Sequence, residues 1–182
     1  MQGRTDIPLN ETGCIQSAAA ATQLLEDRRW CVILSSPLLR ARASAEIISR
    51  ATELPLNDPT PDLTERDYGV AEGLTVTDAH SRWSDGCFPG SEPAKALAER
   101  GRSCIEDVST RHEGNLIVVS HGALIRATVT LLTGRTIPRI LNGGIVIIES
   151  RSGQWWVERM PAPAEHGLSG RLCAERHPGT KQ

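Results

Sequence analysis

Residues 115–133 read NLIVVSHGALIRATVTLLT and decide the fold. The first six of them, Asn115–Ser120, form a short and almost uninterrupted apolar run, which is typical of a strand covered on both faces in a parallel sheet. His121-Gly122 follows at once, and the apolar spacing after it predicts a helix to about Thr133. A buried strand that passes directly into a helix indicates an α/β domain.

The same pattern occurs earlier in the chain. Trp30–Ser35 (WCVILS) is a second short apolar run, and Ser36-Pro37 behind it predicts a helix that reaches about Thr52. A helix from an N-cap at Thr12 to about Asp27 precedes this strand. Strands too apolar to face water predict helices on both faces of the sheet, and hence a three-layer α/β sandwich with a mostly parallel central sheet.

The remaining segments are of three kinds. Pro93 to about Arg111 predicts a further helix, and Gly144–Ser150 with Gln154–Met160 predicts an antiparallel hairpin closed by a short turn. Residues 53–90 are rich in Pro, Asp, Gly and Thr and lack a sustained period. Because an irregular stretch of that length inside a compact domain is usually functional, we expect it to contribute to a site.

Length and charge favour one soluble domain. The 182 residues carry 20 Lys+Arg against 22 Asp+Glu, a balance that speaks against a nucleic-acid binder or a polybasic membrane protein. Residues 1–160 are expected to form the domain, and the patternless residues 161–182 a mobile tail. The five scattered cysteines and five histidines lack CxxC and HExxH spacings, so we expect a cytoplasmic protein without disulfides, metal or cofactor.

Three side chains could carry chemistry, because ligands of open α/β sheets bind beyond the carboxyl ends of the strands. His121 could donate to a phosphate oxygen or act as a general acid, or simply cap and pack. Arg40 could hold a phosphate bidentately, or be a surface arginine. Glu65 could give a proton to a leaving alkoxide, or be an ordinary loop glutamate. Arg42 is expected to be solvent-exposed.

Four motifs follow one another along the chain. They are QGRTDIPLNETG (2–13), SSPLLRARASA (35–45), LTERDYGVAEGLT (63–75) and VVSHGALIRA (118–127). In that order they resemble the histidine phosphatase superfamily, in its phosphoglycerate mutase-like branch: the segment after the catalytic loop, a helix start, an acidic loop and the second-histidine motif. The resemblance extends from residue 2 to about 160.

The resemblance implies a metal-independent, two-step phosphoryl transfer through a phosphohistidine. It implies that Arg40 holds the phosphoryl oxygens and that His121 stabilises charge on the transferred group. Glu65 would donate a proton to the leaving oxygen and later accept one from water. The other positions that match the family's substrate pocket are Gln2, Gly3, Tyr68 and the Gly122 amide.

The nucleophile of that family has no counterpart in this sequence. In the family it is the histidine of an Arg-His-Gly motif that ends the first strand, and none of the five histidines here follows an arginine and precedes a glycine. The resemblance places the missing strand in the middle of the sheet, between the strands at residues 31–35 and 115–120. Its absence is expected to leave backbone groups unpaired along both.

Three interpretations stay open. The chain could belong to an ordinary phosphatase whose start lies upstream of Met1, be a non-catalytic phosphoester-binding or scaffold module, or be a decaying gene product without function. Mutases of the family carry longer insertions between the acidic loop and the second histidine, so the resemblance, with its short spacing from Glu65 to His121, implies a phosphatase rather than a mutase. The expected partner is a small phosphorylated metabolite, with Trp83 and Phe88 either lining the pocket or packing, and an open sheet favours a homo-oligomer.

Overall fold

The structure, a computed structural model, describes residues 1–27 and 29–160, so the predicted tail at 161–182 lies outside the described residues. Helices and strands alternate through most of the chain, as predicted, which confirms the α/β class. Short 3₁₀ turns lie at Pro61–Leu63 and Gly69–Ala71. The helices and strands are α1 (Glu11–Glu26), β1 (Trp30–Ser35), α2 (Leu39–Thr52), α3 (Val76–Arg82), α4 (Ala94–Arg111), β2 (Asn115–Val119), α5 (Gly122–Thr133), β3 (Ile147–Arg151) and β4 (Gln154–Arg159).

Two helix starts differ from the sequence prediction. The N-cap of α1 is Asn10, not Thr12, because the Asn10 side chain accepts a hydrogen bond from the Gly13 amide at 2.8 Å. Helix α2 begins at Leu39, later than predicted. Its first amide donates to Asp6 Oδ1 at 2.7 Å, so a side chain distant in sequence provides the cap.

The prediction that the missing strand separates β1 from β2 is wrong. The two strands pair directly and in parallel, with Ile33 opposite Ile117. The other edge of β1 is also occupied, because the Ile33 amide donates to the Pro55 carbonyl at 2.9 Å. The unpaired edge is therefore the far side of β2, where no described strand lies beside it.

The core lies on both faces of the β1–β2 pair. Ile33 and Ile117 pack against α1 and α2, whereas Leu34 points to the opposite face and packs against α4 and α5. This alternation means that β1 and β2 are covered by helices on both faces, as expected for strands of a parallel sheet. The buried side chains that α1 and α2 contribute are Ala21, Leu24, Ala45 and Ile48, and those of α4 and α5 are Leu97, Cys104, Val108 and Leu124.

The predicted hairpin is confirmed, although its first strand begins at Ile147 rather than Gly144. Strands β3 and β4 pair antiparallel and form a separate two-stranded sheet. Ser152 and Gly153 at its turn have positive φ, which suits a tight connection between strands. Across the helices of residues 1–27 and 29–160, none combines the length and apolar character that a bilayer crossing requires.

Candidate active site

His121 lies where β2 passes into α5 and is 7% exposed. Its Nε2 is 2.8 Å from Ser36 Oγ, at the end of the neighbouring strand β1. The same Ser36 oxygen accepts a hydrogen bond from the Leu38 amide, which leaves the hydroxyl hydrogen free to point at the imidazole. Burial, together with the nearby positive charges of Arg40 and Arg100, lowers the pKa of His121 to about 3, so this imidazole is neutral at physiological pH.

Arg40 is the second residue of α2 and reaches back to the N-terminal segment. Its two terminal nitrogens donate to the Gly3 carbonyl at 2.7 Å and to the Thr5 carbonyl at 2.9 Å. Gly3 is buried with φ +55°, and a Cβ there would collide with the Glu72 carboxylate, so the turn requires glycine. Burial lowers the pKa of Arg40, and the negative charge of Glu65 opposes that shift.

Glu65 lies in the irregular segment, and its carboxylate covers the N-terminus of α5. The two oxygens accept hydrogen bonds from the backbone amides of Leu124 at 3.2 Å and Ala123 at 3.3 Å. One of them also accepts from the Arg66 amide at 2.8 Å. Since the first amides of a helix have no partner within the helix, they form a site for an anion. In this structure the anion is the Glu65 carboxylate itself.

The structure brings these three side chains together. The positive charge of Arg40 helps to lower the pKa of His121, and the negative charge of Glu65 raises the pKa of Arg40. Burial raises the pKa of the Tyr68 phenol, and the negative charge of Glu65 raises it further. Because Glu65 acts on it, Tyr68 belongs to the same cluster. Arg40, Glu65 and His121 thus combine a cation, a carboxyl group and a neutral imidazole where β1 and β2 end.

The other predicted pocket positions lie nearby in different settings. Gln2 is exposed, and its carbonyl accepts a hydrogen bond from the Thr5 amide at 3.1 Å. Gly122 is the first residue of α5, directly before the amides that hold Glu65. Tyr68 is half-buried, with the Arg66 guanidinium 5.3 Å from its ring centre.

Two side chains that the sequence analysis did not assign to the site support it. Ser36, the second serine of the SSP motif, holds His121. That motif is the sequence feature from which its role could have been predicted. Glu72 accepts hydrogen bonds from the amides of Arg4 and Thr5 and from the Thr5 hydroxyl, at 2.6–3.0 Å. It thereby fixes the segment that Arg40 also binds.

Two expectations about individual side chains are settled by packing. Phe88 is 5% exposed and lies edge-on to Trp83, with ring centres 6.0 Å apart, so both are packing residues. Arg42, expected to be exposed, is partly buried and donates to the Asn57 carbonyl at 2.7 Å. Within the part of the chain that the structure describes, no group of three or more His, Cys, Asp or Glu side chains has the arrangement of a metal site.

Comparison with known proteins agrees with this geometry. The model of the histidine phosphatase superfamily, branch 1, matches residues 1–162. The phosphatase PhoE of Bacillus subtilis is 34% identical over 162 residues, which cover 86% of this chain and 83% of that protein. A metal-independent phosphoserine phosphatase of Arabidopsis thaliana is 30% identical over 172 residues, covering 87% of this chain and 72% of that protein.

A solved structure shows the same fold. The mycobacterial glucosyl-3-phosphoglycerate phosphatase in complex with inorganic phosphate superposes with a TM-score of 0.79 at 23% identity, over 89% of this chain and 91% of that one. The predicted resemblance is therefore confirmed at the level of sequence family and of fold. The chain belongs to branch 1 of the histidine phosphatase superfamily.

Proposed function

We propose that this chain forms the phosphate-binding and proton-transfer part of a metal-independent phosphomonoester hydrolase. The observation that carries the proposal is the convergence of Arg40, Glu65 and His121 at the carboxyl ends of β1 and β2, where Glu65 and His121 lie at the start of α5 and the charge of Arg40 acts on His121 and is acted on by Glu65. A phosphoryl group needs positive charge and hydrogen-bond donors around its oxygens. Arg40 supplies the charge, and the start of α5 supplies the amides.

The amides of Ala123 and Leu124 already hold a carboxylate. A bound phosphoryl group would take over these donors and release Glu65 toward the ester oxygen. Arg40 keeps further N–H groups besides the two that bind the Gly3 and Thr5 carbonyls, since a guanidinium has five donors. The same backbone contacts hold Arg40 in place before substrate arrives, which reduces the entropy lost on binding.

The proposed reaction has two steps. A nucleophilic imidazole attacks phosphorus, an N–P bond forms, and the P–O bond to the alcohol breaks. Glu65, which takes up a proton when the phosphoryl group displaces it from the amides of α5, gives that proton to the leaving oxygen. Water then attacks phosphorus, Glu65 takes a proton from that water, and the N–P bond breaks to release phosphate and the free imidazole. His121, neutral and bonded to Ser36, donates to a phosphoryl oxygen in both steps. The attacking imidazole comes from a strand that residues 1–160 do not supply.

The proposed substrates are small phosphorylated metabolites, such as sugar phosphates or phosphoglycerate-like esters. Tyr68 and Arg66 lie beside Glu65, and this half-buried pair offers a polar wall for a small alcohol group. The names of the relatives, which include a phosphoserine phosphatase and a glucosyl-3-phosphoglycerate phosphatase, agree with small substrates.

Binding of inorganic phosphate tests the anion site. We expect phosphate to raise the melting temperature of the chain, since a ligand that binds only the folded state stabilises it. Arg40→Ala should abolish that shift. Arg42→Ala is the matched control, because Arg42 lies on the same helix and also donates to a backbone carbonyl but is directed toward Asn57. An equal phosphate shift in Arg40→Ala and the parent chain would remove Arg40 from the site.

Turnover of p-nitrophenyl phosphate tests the catalytic part. We expect no turnover by the chain as it stands, and turnover once a strand that ends in Arg-His-Gly is joined before Gln2. In that active form, Glu65→Gln or His121→Ala should lower kcat/KM at least about 100-fold. If phosphate binds but the extended chain stays inactive, the non-catalytic phosphoester-binding alternative replaces the hydrolase.

A further inference from the structure

A cavity lies between α4 and the segment that runs beside β1. Its volume is about 460 Å³, which is within the range of sites that take small molecules. One wall is the last turn of α4, and the other is the segment at residues 56–60. The residues that line it include none of Arg40, Glu65 and His121, so this cavity is separate from the candidate active site. We call it the α4 cavity.

The floor of the α4 cavity is apolar. Leu34 and Val108 line it, are both buried, and belong to the core cluster of α4 and α5. The side chain of Leu56 packs against the opposite cluster, that of α1 and α2. Because side chains alternate along an extended segment, that of Asn57 is directed to the α4 side. The cavity therefore combines an apolar base with polar groups on its walls, as small-molecule sites usually do.

The polar groups around the cavity are mostly hydrogen-bond acceptors. The lining side chains of Asn57, Asp58, Thr60 and Asp107 all carry an oxygen that can accept a hydrogen bond. The last carbonyls of α4 have no partner within the helix and form its negative end. A ligand that is rich in N–H donors satisfies these walls better than an anion does.

The charge of the cavity favours a cation. Arg111, which also lines it, is bound to the Asp107 carboxylate at 2.7 Å. Asp58 takes part in none of the ion pairs among the described residues, so its negative charge is not compensated. His112 is the other titratable side chain of the wall and can donate or accept a hydrogen bond. These side chains do not form a metal site in the part of the chain that the structure describes, so the cation that fits is an organic one.

We propose that the α4 cavity binds a guanidinium group on a short hydrocarbon stem. The guanidinium binds the Asp58 carboxylate through two N–H groups, a geometry that its planar fork allows. Its other donors reach the side-chain oxygens of Asn57 and Thr60, since a guanidinium has five donors and no acceptor. The stem lies on Leu34 and Val108 at the floor. An ammonium group is the weaker ligand, because it is a compact charge without the planar fork.

Titration of the full chain with butylguanidinium tests the site directly. We expect saturable shifts of the Leu34 and Val108 methyl signals in NMR spectra, with a dissociation constant of about 1 mM or below. Butanoate has a similar stem and the opposite charge, and it should shift neither signal. Methylguanidinium keeps the charge but lacks the stem, and it should bind at least about 10-fold more weakly, since each buried methylene contributes to affinity.

A short peptide distinguishes the two sources of this chemistry, a free small molecule and an arginine side chain of another protein. The probe is acetyl-Gly-Arg-Gly-amide, titrated in the same way. Binding at least about 10-fold tighter than that of butylguanidinium assigns the cavity to a protein partner, because the peptide backbone then adds contacts. Equal or weaker binding of the peptide assigns it to a free small molecule.

A pair of variants separates the site from general attraction of cations. Asp58→Asn should weaken binding of butylguanidinium at least about 10-fold, because it removes the charge that the guanidinium binds. Glu113→Gln is the matched control, since Glu113 is exposed just after α4 and does not line the cavity. The proposal is overturned if butylguanidinium shifts neither methyl signal, if butanoate binds as well, or if Asp58→Asn binds like Glu113→Gln. None of these readouts uses phosphate binding or turnover, so this inference and the proposed function fail separately.

Discussion

A single hydroxyl decides how His121 is held. The two serines that end β1 are both fully buried, yet only Ser36 contacts the imidazole, whereas Ser35 Oγ has no hydrogen-bond partner among the described residues. Ser36→Ala leaves the ring nitrogen of His121 and the Leu38 amide without a partner. We expect this change to lower the free energy of unfolding by about 1–3 kcal/mol in urea titrations. Ser35→Ala is the matched control and should change it by less than about 0.5 kcal/mol; equal losses would contradict the assigned contact.

The buried imidazole makes stability depend on pH in a defined window. The pKa of His121 is about 3 in the folded chain and lies near 6.5 when the chain unfolds, so below pH 6.5 the unfolded chain binds a proton that the folded chain does not. The free energy of unfolding therefore falls as the pH falls, by up to about 1.4 kcal/mol per pH unit. Urea titrations between pH 7 and 5 measure this slope, and His121→Gln should remove most of it. An unchanged slope in that variant would mean that His121 is not buried in its neutral form.

The loop that carries Glu65 is fixed by an ion pair between two elements. Arg100 on α4 binds the Glu92 carboxylate through two nitrogens at 2.9 Å and also donates to the Asp62 and Thr64 carbonyls. Arg100 and Glu92 are 18% and 12% exposed, so their pairing is screened little by water. This contact explains how an irregular segment can hold the Glu65 carboxyl group in place.

Breaking this pair should cost more than breaking an exposed pair on the same helix. We expect Glu92→Gln to lower the free energy of unfolding by about 1–3 kcal/mol, since Arg100 keeps its charge without a carboxylate. Glu99→Gln is the matched control: Glu99 pairs with Arg102, both are 41% exposed, and the expected loss is below about 1 kcal/mol. Comparable losses in the two variants would show that the Glu65 loop does not depend on Arg100.

The packing of α4 on α5 depends on one glycine. A Cβ at Gly101 would collide with the Thr128 hydroxyl oxygen on α5, which is buried without a hydrogen-bond partner among the described residues. Gly101→Ala should therefore lower the free energy of unfolding by about 1–3 kcal/mol through overpacking. Thr128→Ala removes the colliding group, so the double variant should recover most of the loss. A double-mutant cycle without coupling between the two sites would contradict direct contact.

At the scale of the whole molecule, the sequence predicts the bounds of individual elements better than it predicts which strands pair. The bounds of β1 and the end of α5 follow from the apolar run and the apolar spacing, and the structure agrees with both. The partner of each sheet edge could not be predicted in this way. The apolar runs of β1 and β2 suit pairing with each other or with a strand between them, and only the folded chain shows the direct pairing, with the 55–57 segment on the far edge of β1.

In the site, too, the sequence predicts the residue types but not the contacts that hold them. The residue types of Arg40, Glu65 and His121 indicate phosphate chemistry, and the family resemblance assigns them roles. The contacts that hold them were not predictable, because Ser36, Glu72 and Glu92 meet their partners only after folding. Residues 53–90 also contain α3, whose seven residues are too few to show a clear period.

The open β2 edge divides the molecule into parts of unequal stability. β1 is bonded on both edges, whereas the hairpin β3–β4 has no backbone ladder to β2 among the described residues and is joined to the rest through side chains such as the Arg29–Glu158 ion pair. Because regions with few tertiary contacts open without global unfolding, hairpin amides should exchange at least about 100-fold faster than those of Val32 and Leu34 in native-state hydrogen exchange. Equal protection of both sheets would show that the hairpin and the β1–β2 pair unfold as one unit.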